Sequence, residues 1–275
     1  MMVQLSKYHG LGNDFIITKA SALKGINPSD FAKHYCDRHV GLGADGLILV
    51  KENPLTMLYY NSDGSVAKMC GNGIRCFAKF CIDQQVIQDE AFDVQTLAGT
   101  YHVSIQEMSP FLVRVNMGRP NYQALYIPMK IEKETWINQL ISFNHKHYQM
   151  TSLLMGATHS VIEVDDMDTL DCVGFGKMIQ SLPIFPDSTN VNFFHFLDAS
   201  TVRVQTFERG AGLTLACGTG ATAVYAVLKD VYGFKGKLTI VLQKGSLSLE
   251  SNEVDEILMT GPAKWILNGE VAWEK

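Results

Sequence analysis

The chain has 275 residues, 47% of them hydrophobic, which is enough for one large core or two modest ones. A net charge of −5 and a pI near 5.9, with Lys and Arg scattered rather than blocked, exclude the electrostatic footprint of a nucleic-acid-binding protein. No stretch has the uninterrupted apolar length of a membrane span, and MMVQLSKYHGLGNDF lacks the apolar core of a signal peptide, so a small-molecule partner and a cytoplasmic location are expected.

Taken in order, Val3 to Tyr8 and Phe15 to Thr18 read as strands joined by HGLGND, whose glycines permit positive φ and whose Asn13 and Asp14 offer polar side chains. A plain hairpin turn and a ligand-facing loop are both open readings of it. Asn27-Pro28-Ser29 supplies a cap and a first-turn proline for a helix through about His39, stopped by GLGADG. Leu47 to Val50 and Met57 to Tyr60 are buried strands, and Asn61-Ser62-Asp63-Gly64 is a hairpin signal into Val66 to Met69. The chain then reaches Cys70, after which Ile74, Phe77, Ala78 and Cys81 fall on one face of a helix. Cys76 and Cys81 belong with its packing.

From Phe92 the pattern returns to strands, FDVQT, YHVSIQ and LVRVNMG, and GRPN from Gly118 to Asn121 is the best boundary candidate. A weakly patterned stretch runs to Tyr148, followed by strands in SLLMG and HSVIEV. A helix within about Asp168 to Gln180 is weakened by two glycines. Strands at Asn190 to Phe196 and Val202 to Phe207 lead to Cys217. Beyond Gly220 the run ATAVYAVL describes a helix buried on most sides, closed by Gly233, and four short strands complete the chain. Each half therefore reads as strands, a Cys-Gly-X-Gly helix start, and more strands. The expected fold is α+β, two pseudo-symmetric domains with a glycine-led helix packed on a sheet in each.

The six cysteines, at 36, 70, 76, 81, 172 and 217, are expected as reduced thiols, since their spacing does not repeat as paired zinc ligands do. Cys70 and Cys217 differ from the rest because each opens a helix. Backbone N–H groups and the positive end of the dipole at such a point bind anions and favour a thiolate. Glycines after each cysteine let a carboxylate approach both helix starts, which would set its α-carbon between two thiols. One thiolate and one thiol suffice to remove an α-proton and return another to the opposite face, as a coupled acid–base pair. Packing explains a lone cysteine beside glycine, and the repetition favours chemistry. Phosphate binding is the other reading of such turns, but neither has the Lys-Ser/Thr ending of a P-loop. No signature of pyridoxal phosphate or nicotinamide is present, and His145 and His147 form no metal-ligand pattern with the cysteines.

KYHGLGNDF at 7–15, NSDGSVAKMCGNGIRC at 61–76 and FERGAGLTLACGTGA at 207–221 resemble the diaminopimelate epimerase family in order and spacing along almost the whole chain. The resemblance implies cofactor-independent epimerisation of LL- to meso-diaminopimelate in lysine and peptidoglycan precursor synthesis. It also implies two pseudo-symmetric α/β domains, here 1–118 with 263–275, and 119–262, each a sheet wrapped round a central helix, and it is compatible with a homodimer. Carried over by motif, Cys70 and Cys217 match the acid–base pair. Gly71, Asn72, Gly218 and Thr219 match the carboxylate-binding helix starts, while Asn13, Asn61, Asn190, Glu208 and Arg209 match further substrate contacts. The chain departs from the pattern at Ala157, where MGATH stands for the usual MGNPH, at Leu213 for a usual glutamate, and at Val66 and Lys68. These departures bear on the substrate, so a racemase of another amino acid and an inactive amino-acid-binding relative stand as alternatives.

Overall fold

A computed structural model describes residues 1–274. The chain divides into two compact units, Met1–Asn116 with the segment from Thr260 onward, and Met117–Met259.

The first unit begins with strands β1 (Met2–Gly10) and β2 (Asn13–Lys19), an antiparallel hairpin turned on Leu11 and Gly12 at φ 58° and 93°. The positive angles thus fall on Leu11 and Gly12, not on both glycines. Helix α1 (Pro28–Tyr35) is capped by Asn27, whose side chain accepts the Ser29 N–H at 2.9 Å. It stops short of the expected His39 because Asp37 takes the N–H groups of His39 and Val40, at 2.7 and 2.9 Å, and starts a turn. Strands β3 (Gly46–Lys51), β4 (Thr56–Asn61) and the two-residue β5 (Val66–Ala67) lead into helix α2 (Gly71–Asp83), and β6 (Ala91–Thr96), β7 (Gly99–Met108) and β8 (Phe111–Gly118) follow.

In the second unit come β9 (Trp136–Phe143), β10 (Lys146–Met155) and β11 (Ala157–Glu163), then α3 (Cys172–Gln180). Strand β9 is the element hidden in the weakly patterned stretch: half-buried and exposed positions alternate along most of it, but the exposed ones include Leu140, so the sequence does not show the alternation. The glycines that weaken α3 as a sequence signal are packing positions. A Cβ at Gly174 would stand 2.1 Å from the capping Asp171 carboxylate, and one at Gly176 would stand 2.5 Å from the Phe207 ring. Strands β12 (Asn190–Asp198), β13 (Thr201–Glu208) and β14 (Gly212–Thr214) precede helix α4 (Gly218–Asp230), which ends at Val231, two residues before Gly233. Then come β15 (Leu238–Leu242), β16 (Gly245–Ser251), β17 (Ile257–Pro262) and β18 (Lys264–Ala272), the last pairing antiparallel with β1.

The strand pairings repeat between the units. In the first, β1–β2 is antiparallel, β2–β3 parallel, β3–β4 and β4–β5 antiparallel, β4–β6 parallel and β6–β7 antiparallel. In the second, β10–β11, β11–β12, β12–β13, β13–β14, β13–β15 and β15–β16 follow the same series. Helix α2 packs on β1 to β4 and β18, and α4 on β10 to β13 and β16. Each is buried along nearly its whole length. The opposite sheet face is covered as well. In the first unit Phe31 and Tyr35 of α1 join Val3, Leu5, Ile16, Leu47 and Leu49; in the second Phe175 and Ile179 of α3 join Val191 and Phe193. Burial on both faces is why the parallel pair β2–β3 reads as near-continuous apolar runs, FIIT and LILV.

Candidate active site

The repeat supplies a residue-by-residue correspondence. Phe15 pairs with Gly46 and Gly46 with Asn61 in the first unit; His159 pairs with Asn190, and Asn190 lies one step before the Val191–Phe207 pair in the second. Asn13 therefore corresponds to Ala157, Asp45 to Thr189, Gly46 to Asn190, Asn61 to Glu208 and Cys70 to Cys217.

Both cysteines are helix N-caps with extended backbone, Cys70 at φ −141°, ψ 118° and Cys217 at φ −125°, ψ 111°. Each sulfur accepts the N–H of the glycine three residues on, Gly73 and Gly220, at 3.3 Å in both cases. That donor is one of the N–H groups a helix start leaves without an intrahelical partner, so the thiol stands in for the usual Ser or Asp cap. The last glycine of each CGXG lies at a close approach, the tighter one at Gly220. A Cβ at Gly73 would lie 3.2 Å from the Cys70 Cβ, and one at Gly220 would lie 2.3 Å from Oδ1 of Asn192. Gly71 and Gly218 are the first helical residues and are buried, and the Gly218 carbonyl accepts the Thr222 hydroxyl at 2.8 Å.

In the first unit the structure brings Asn13, Cys70 and Asn72 together. Oδ1 of Asn13 lies 3.8 Å from Sγ of Cys70 and accepts Nδ2 of Asn72 at 3.1 Å. HGLGND is thus a hairpin turn that carries Asn13 to Cys70. Fully buried Arg75 donates to the Gly71 carbonyl at 2.8 Å, to Oδ1 of Asn72 at 3.0 Å and to the Pro262 carbonyl at 3.2 Å, which ties the helix start to its surroundings. Asn61 is placed differently. Its amide donates to the Ser65 hydroxyl at 2.9 Å and its backbone shapes the β4–β5 turn.

In the second unit Nδ2 of Asn190 donates to the Thr158 carbonyl at 3.0 Å, and its Oδ1 accepts the Arg209 N–H at 2.9 Å. The Arg209 guanidinium donates to the Asp187 carbonyl at 2.7 Å, and Glu208 accepts the Thr214 hydroxyl at 2.5 Å. Thr219 sets its hydroxyl 3.5 Å from Sγ of Cys217. Leu213, at the position of the usual glutamate, is 42% exposed, so its side chain is not a packing element.

Two sets of residues were not assembled from the sequence, although Asp14 of the second stood out in HGLGND. Against Gly220, the fully buried Asn192 donates to Nδ1 of His159, to the Ser160 carbonyl and to the Asn190 carbonyl, and accepts the Thr206 hydroxyl at 3.0 Å. Burial pushes the His159 pKa down to about 3, so the ring is neutral, and its Nε2 is buried without a hydrogen-bond partner. The signal was the polar residue on a run, NVNFF, that otherwise reads as buried strand. Beside Asn13, Lys7, Asp14, Arg38 and Asp45 form an ion cluster, with Asp14 2.9 Å from Lys7 and 2.7 Å from Arg38, and Asp45 2.8 Å from Arg38. Burial alone would raise the Asp14 pKa, and the hydrogen bonds and charges of Arg38 and Lys7 outweigh it and bring it below the usual range. The other thiols behave as core groups: burial pushes Cys36 up to about 12 and Cys172 to about 11, and raises Cys76 and Cys81 as well.

Two repeated units, each a sheet around a cysteine-capped helix, define a fold shared with solved racemases and isomerases. A probable proline racemase of Agrobacterium radiobacter superposes with a TM-score of 0.72 at 13% identity, covering 99% of this chain and 93% of that one. A hydroxyproline epimerase of Agrobacterium vitis gives 0.71 at 15% identity, covering 100% and 93%. At the level of sequence, the pattern of the diaminopimelate epimerase family matches residues 5–123 and 151–266. The chain is 38% identical to the diaminopimelate epimerase of Alkaliphilus metalliredigens over 98% of its length and 97% of the relative's. It is 39% identical to that of Methanococcus maripaludis over 98% and 99%. The chain belongs to the diaminopimelate epimerase family.

Proposed function

We propose that the protein interconverts LL- and meso-diaminopimelate without a cofactor, Cys70 and Cys217 acting as the acid–base pair, in the cytoplasmic supply of lysine and peptidoglycan precursors. The observation that carries the reading is the duplicated N-cap: two sulfurs in like geometry, each at the positive end of a buried helix, in a chain of this family. A sulfur that already accepts a backbone N–H is prepared for negative charge, so either thiol can serve as base when the other serves as acid. The helix starts at Gly71 and Asn72 and at Gly218 and Thr219 suit the α-carboxylate, whose charge they attract. Negative charge that develops as the α-proton leaves is stabilised by the same oriented donors. Asn13 and Asn190, each fixed by hydrogen bonds, and the Arg209 guanidinium are the polar groups assigned to holding the substrate, Arg209 by bidentate grip of the distal carboxylate. A homodimer is part of the same reading, by family resemblance.

The test is α-proton exchange in deuterium oxide, followed by NMR and chiral chromatography, with LL-diaminopimelate, proline, hydroxyproline and a panel of other amino acids. Exchange with inversion of diaminopimelate is the expected result. Inversion of another amino acid in its place would move the assignment to a different racemase, and no exchange at all would leave only binding. Cys70→Ala and Cys217→Ala should each abolish inversion with the fold intact by circular dichroism, and near-normal turnover in either would end the two-thiol mechanism.

A further inference from the structure

The two sulfurs share a helix-end donor, and a third neighbour separates them. Sγ of Cys70 faces Oδ1 of Asn13 at 3.8 Å, an oxygen that only accepts, whereas Sγ of Cys217 faces the Thr219 hydroxyl at 3.5 Å, which can donate. A carbonyl oxygen is served by S–H and opposes S⁻; a hydroxyl serves S⁻.

The Asn13 amide is fixed in direction. Its Nδ2 donates to Oδ2 of Asp45 at 2.5 Å, its Oδ1 accepts Nδ2 of Asn72 at 3.1 Å, and Oδ1 of Asn72 accepts Nη2 of Arg75 at 3.0 Å. With a carboxylate at one end and a guanidinium at the other, turning either amide would set donor against donor or acceptor against acceptor. Asp45 is itself held by Arg38 at 2.8 Å and by the Asp14 N–H at 3.0 Å. The second unit has no counterpart of this relay, because Ala157 stands for Asn13 and Thr189 for Asp45.

We propose that Asp45 is a positioning residue: by accepting the Asn13 N–H it keeps the amide carbonyl on the Cys70 sulfur and so holds Cys70 as the protonated partner of the resting enzyme. The inference rests on the two-thiol reading above. Of the charged groups around this sulfur, Arg75 on α2 favours the thiolate by its charge, and it also donates to Asn72, Gly71 and Pro262, so that it helps to fix the amide that orients Asn13. Lys7, Asp14, Arg38 and Asp45 sum to no net charge, so their influence passes through the amide they orient. His9 on β1 has its pKa lowered by burial and by Lys264.

Timed alkylation of the full-length protein with iodoacetamide at pH 7, read cysteine by cysteine by peptide mass spectrometry, tests this without substrate. Cys217, although only 6% exposed against a half-buried Cys70, should react about tenfold faster. Asp45→Ala should raise the Cys70 rate about tenfold, leave Cys217 unchanged, and lower kcat with little change in KM. Asp45→Asn, which retains an acceptor oxygen for Asn13, should stay within about twofold of the parent protein. A parent protein in which Cys70 reacts as fast as Cys217 overturns the proposal even if the alanine variant does not fold, and so does an Asp45→Ala protein with an unchanged Cys70 rate. The expected alkylation pattern without diaminopimelate turnover would sink the assigned reaction and leave the positioning role standing.

Discussion

Gly220→Ala and Gly73→Ala are the same substitution at corresponding positions, and the structure predicts different outcomes. At Gly220 the new Cβ would stand 2.3 Å from Oδ1 of Asn192 and 3.0 Å from the Thr206 hydroxyl. Asn192 is fully buried and its amide is tied to His159, Ser160 and Asn190, so it cannot withdraw without giving up hydrogen bonds. Overpacking costs about 1–3 kcal/mol and a buried polar group left unpaired about 1–3 kcal/mol. Replacing Gly by Ala in a helix returns about 1 kcal/mol. The net loss is roughly 1–5 kcal/mol. At Gly73 the nearest atoms are the end of the Ile48 side chain at 3.1 Å and the Cys70 Cβ at 3.2 Å, and a flexible methyl can give by the few tenths of an ångström required. Its stability should change by less than about 1 kcal/mol, while turnover falls because the Cys70 sulfur is displaced. Urea unfolding of both variants, with turnover measured alongside, decides the matter. In the double variant Asn192→Ala, Gly220→Ala the second change should cost less than it does alone, since the space has been opened. Equal losses at the two glycines, or additive costs in the double variant, would refute the picture of a rigid amide beneath α4.

Three further perturbations test the packing and the buried charges. His159 is buried neutral with its pKa near 3, below the 6.5 of an unfolded chain, so the unfolded state takes up its proton first and stability is lost as pH falls from about 6.5 toward 3. The slope is at most about 1.4 kcal/mol per pH unit. His159→Gln should remove that component, and a difference between parent and variant that stays constant from pH 7.5 to 5.5 would contradict the buried neutral ring. Phe175 lies stacked on Phe143 at 4.4 Å and tilted against Phe193 at 5.3 Å, with no exposure, so Phe175→Ala should cost about 3–5 kcal/mol in denaturant unfolding. A loss under about 1 kcal/mol would mean that the site collapses freely. Asp14→Asn should cost about 3 kcal/mol at pH 7 by leaving Lys7 without its carboxylate and Arg38 with Asp45 alone. Because the folded pKa of Asp14 lies below the ordinary one, that penalty should fade as pH falls from about 4 through the folded value, and a penalty that persists in acid would assign it to packing.

What the sequence made legible was what local chemistry determines. Cys-Gly-X-Gly before an apolar helical face specified two N-caps, its last glycine lying at a close approach in both units, and the parallel strands β2 and β3 announced themselves as near-continuous apolar runs. What stayed hidden depends on partners distant in the chain. The glycines of α3 weaken a helix judged alone and become necessary once the Asp171 carboxylate and the Phe207 ring occupy the space of a side chain. Strand β9 alternates in burial but not in hydrophobicity, because none of its residues is fully buried and Leu140 stands on the exposed side. Asp45 reads as part of a turn in GLGADG, and only the fold sets its carboxylate on Asn13.

The correspondence between the units adds a constraint that neither half carries by itself. Duplication alone would give two sulfurs with identical surroundings, and identical surroundings cannot favour one thiol and one thiolate over the reverse. Equivalence is kept where the geometry of the helix start demands it, at Cys70 and Cys217 and at Gly73 and Gly220. It is broken one layer out, where Asn13 faces Ala157, Asp45 faces Thr189, Asn61 faces Glu208 and Asn72 faces Thr219 in the alignment of the repeats. Of the departures noted in the sequence, Ala157 belongs to that outer layer. A reciprocal exchange follows from this. Ala157→Asn would supply the second unit with an amide at the position of Asn13 but without the carboxylate that orients it, so Cys217 alkylation should slow by less than about threefold. Adding Thr189→Asp should slow it further, and a double variant with Cys217 as reactive as before would show that the amide's direction is not what separates the two sulfurs.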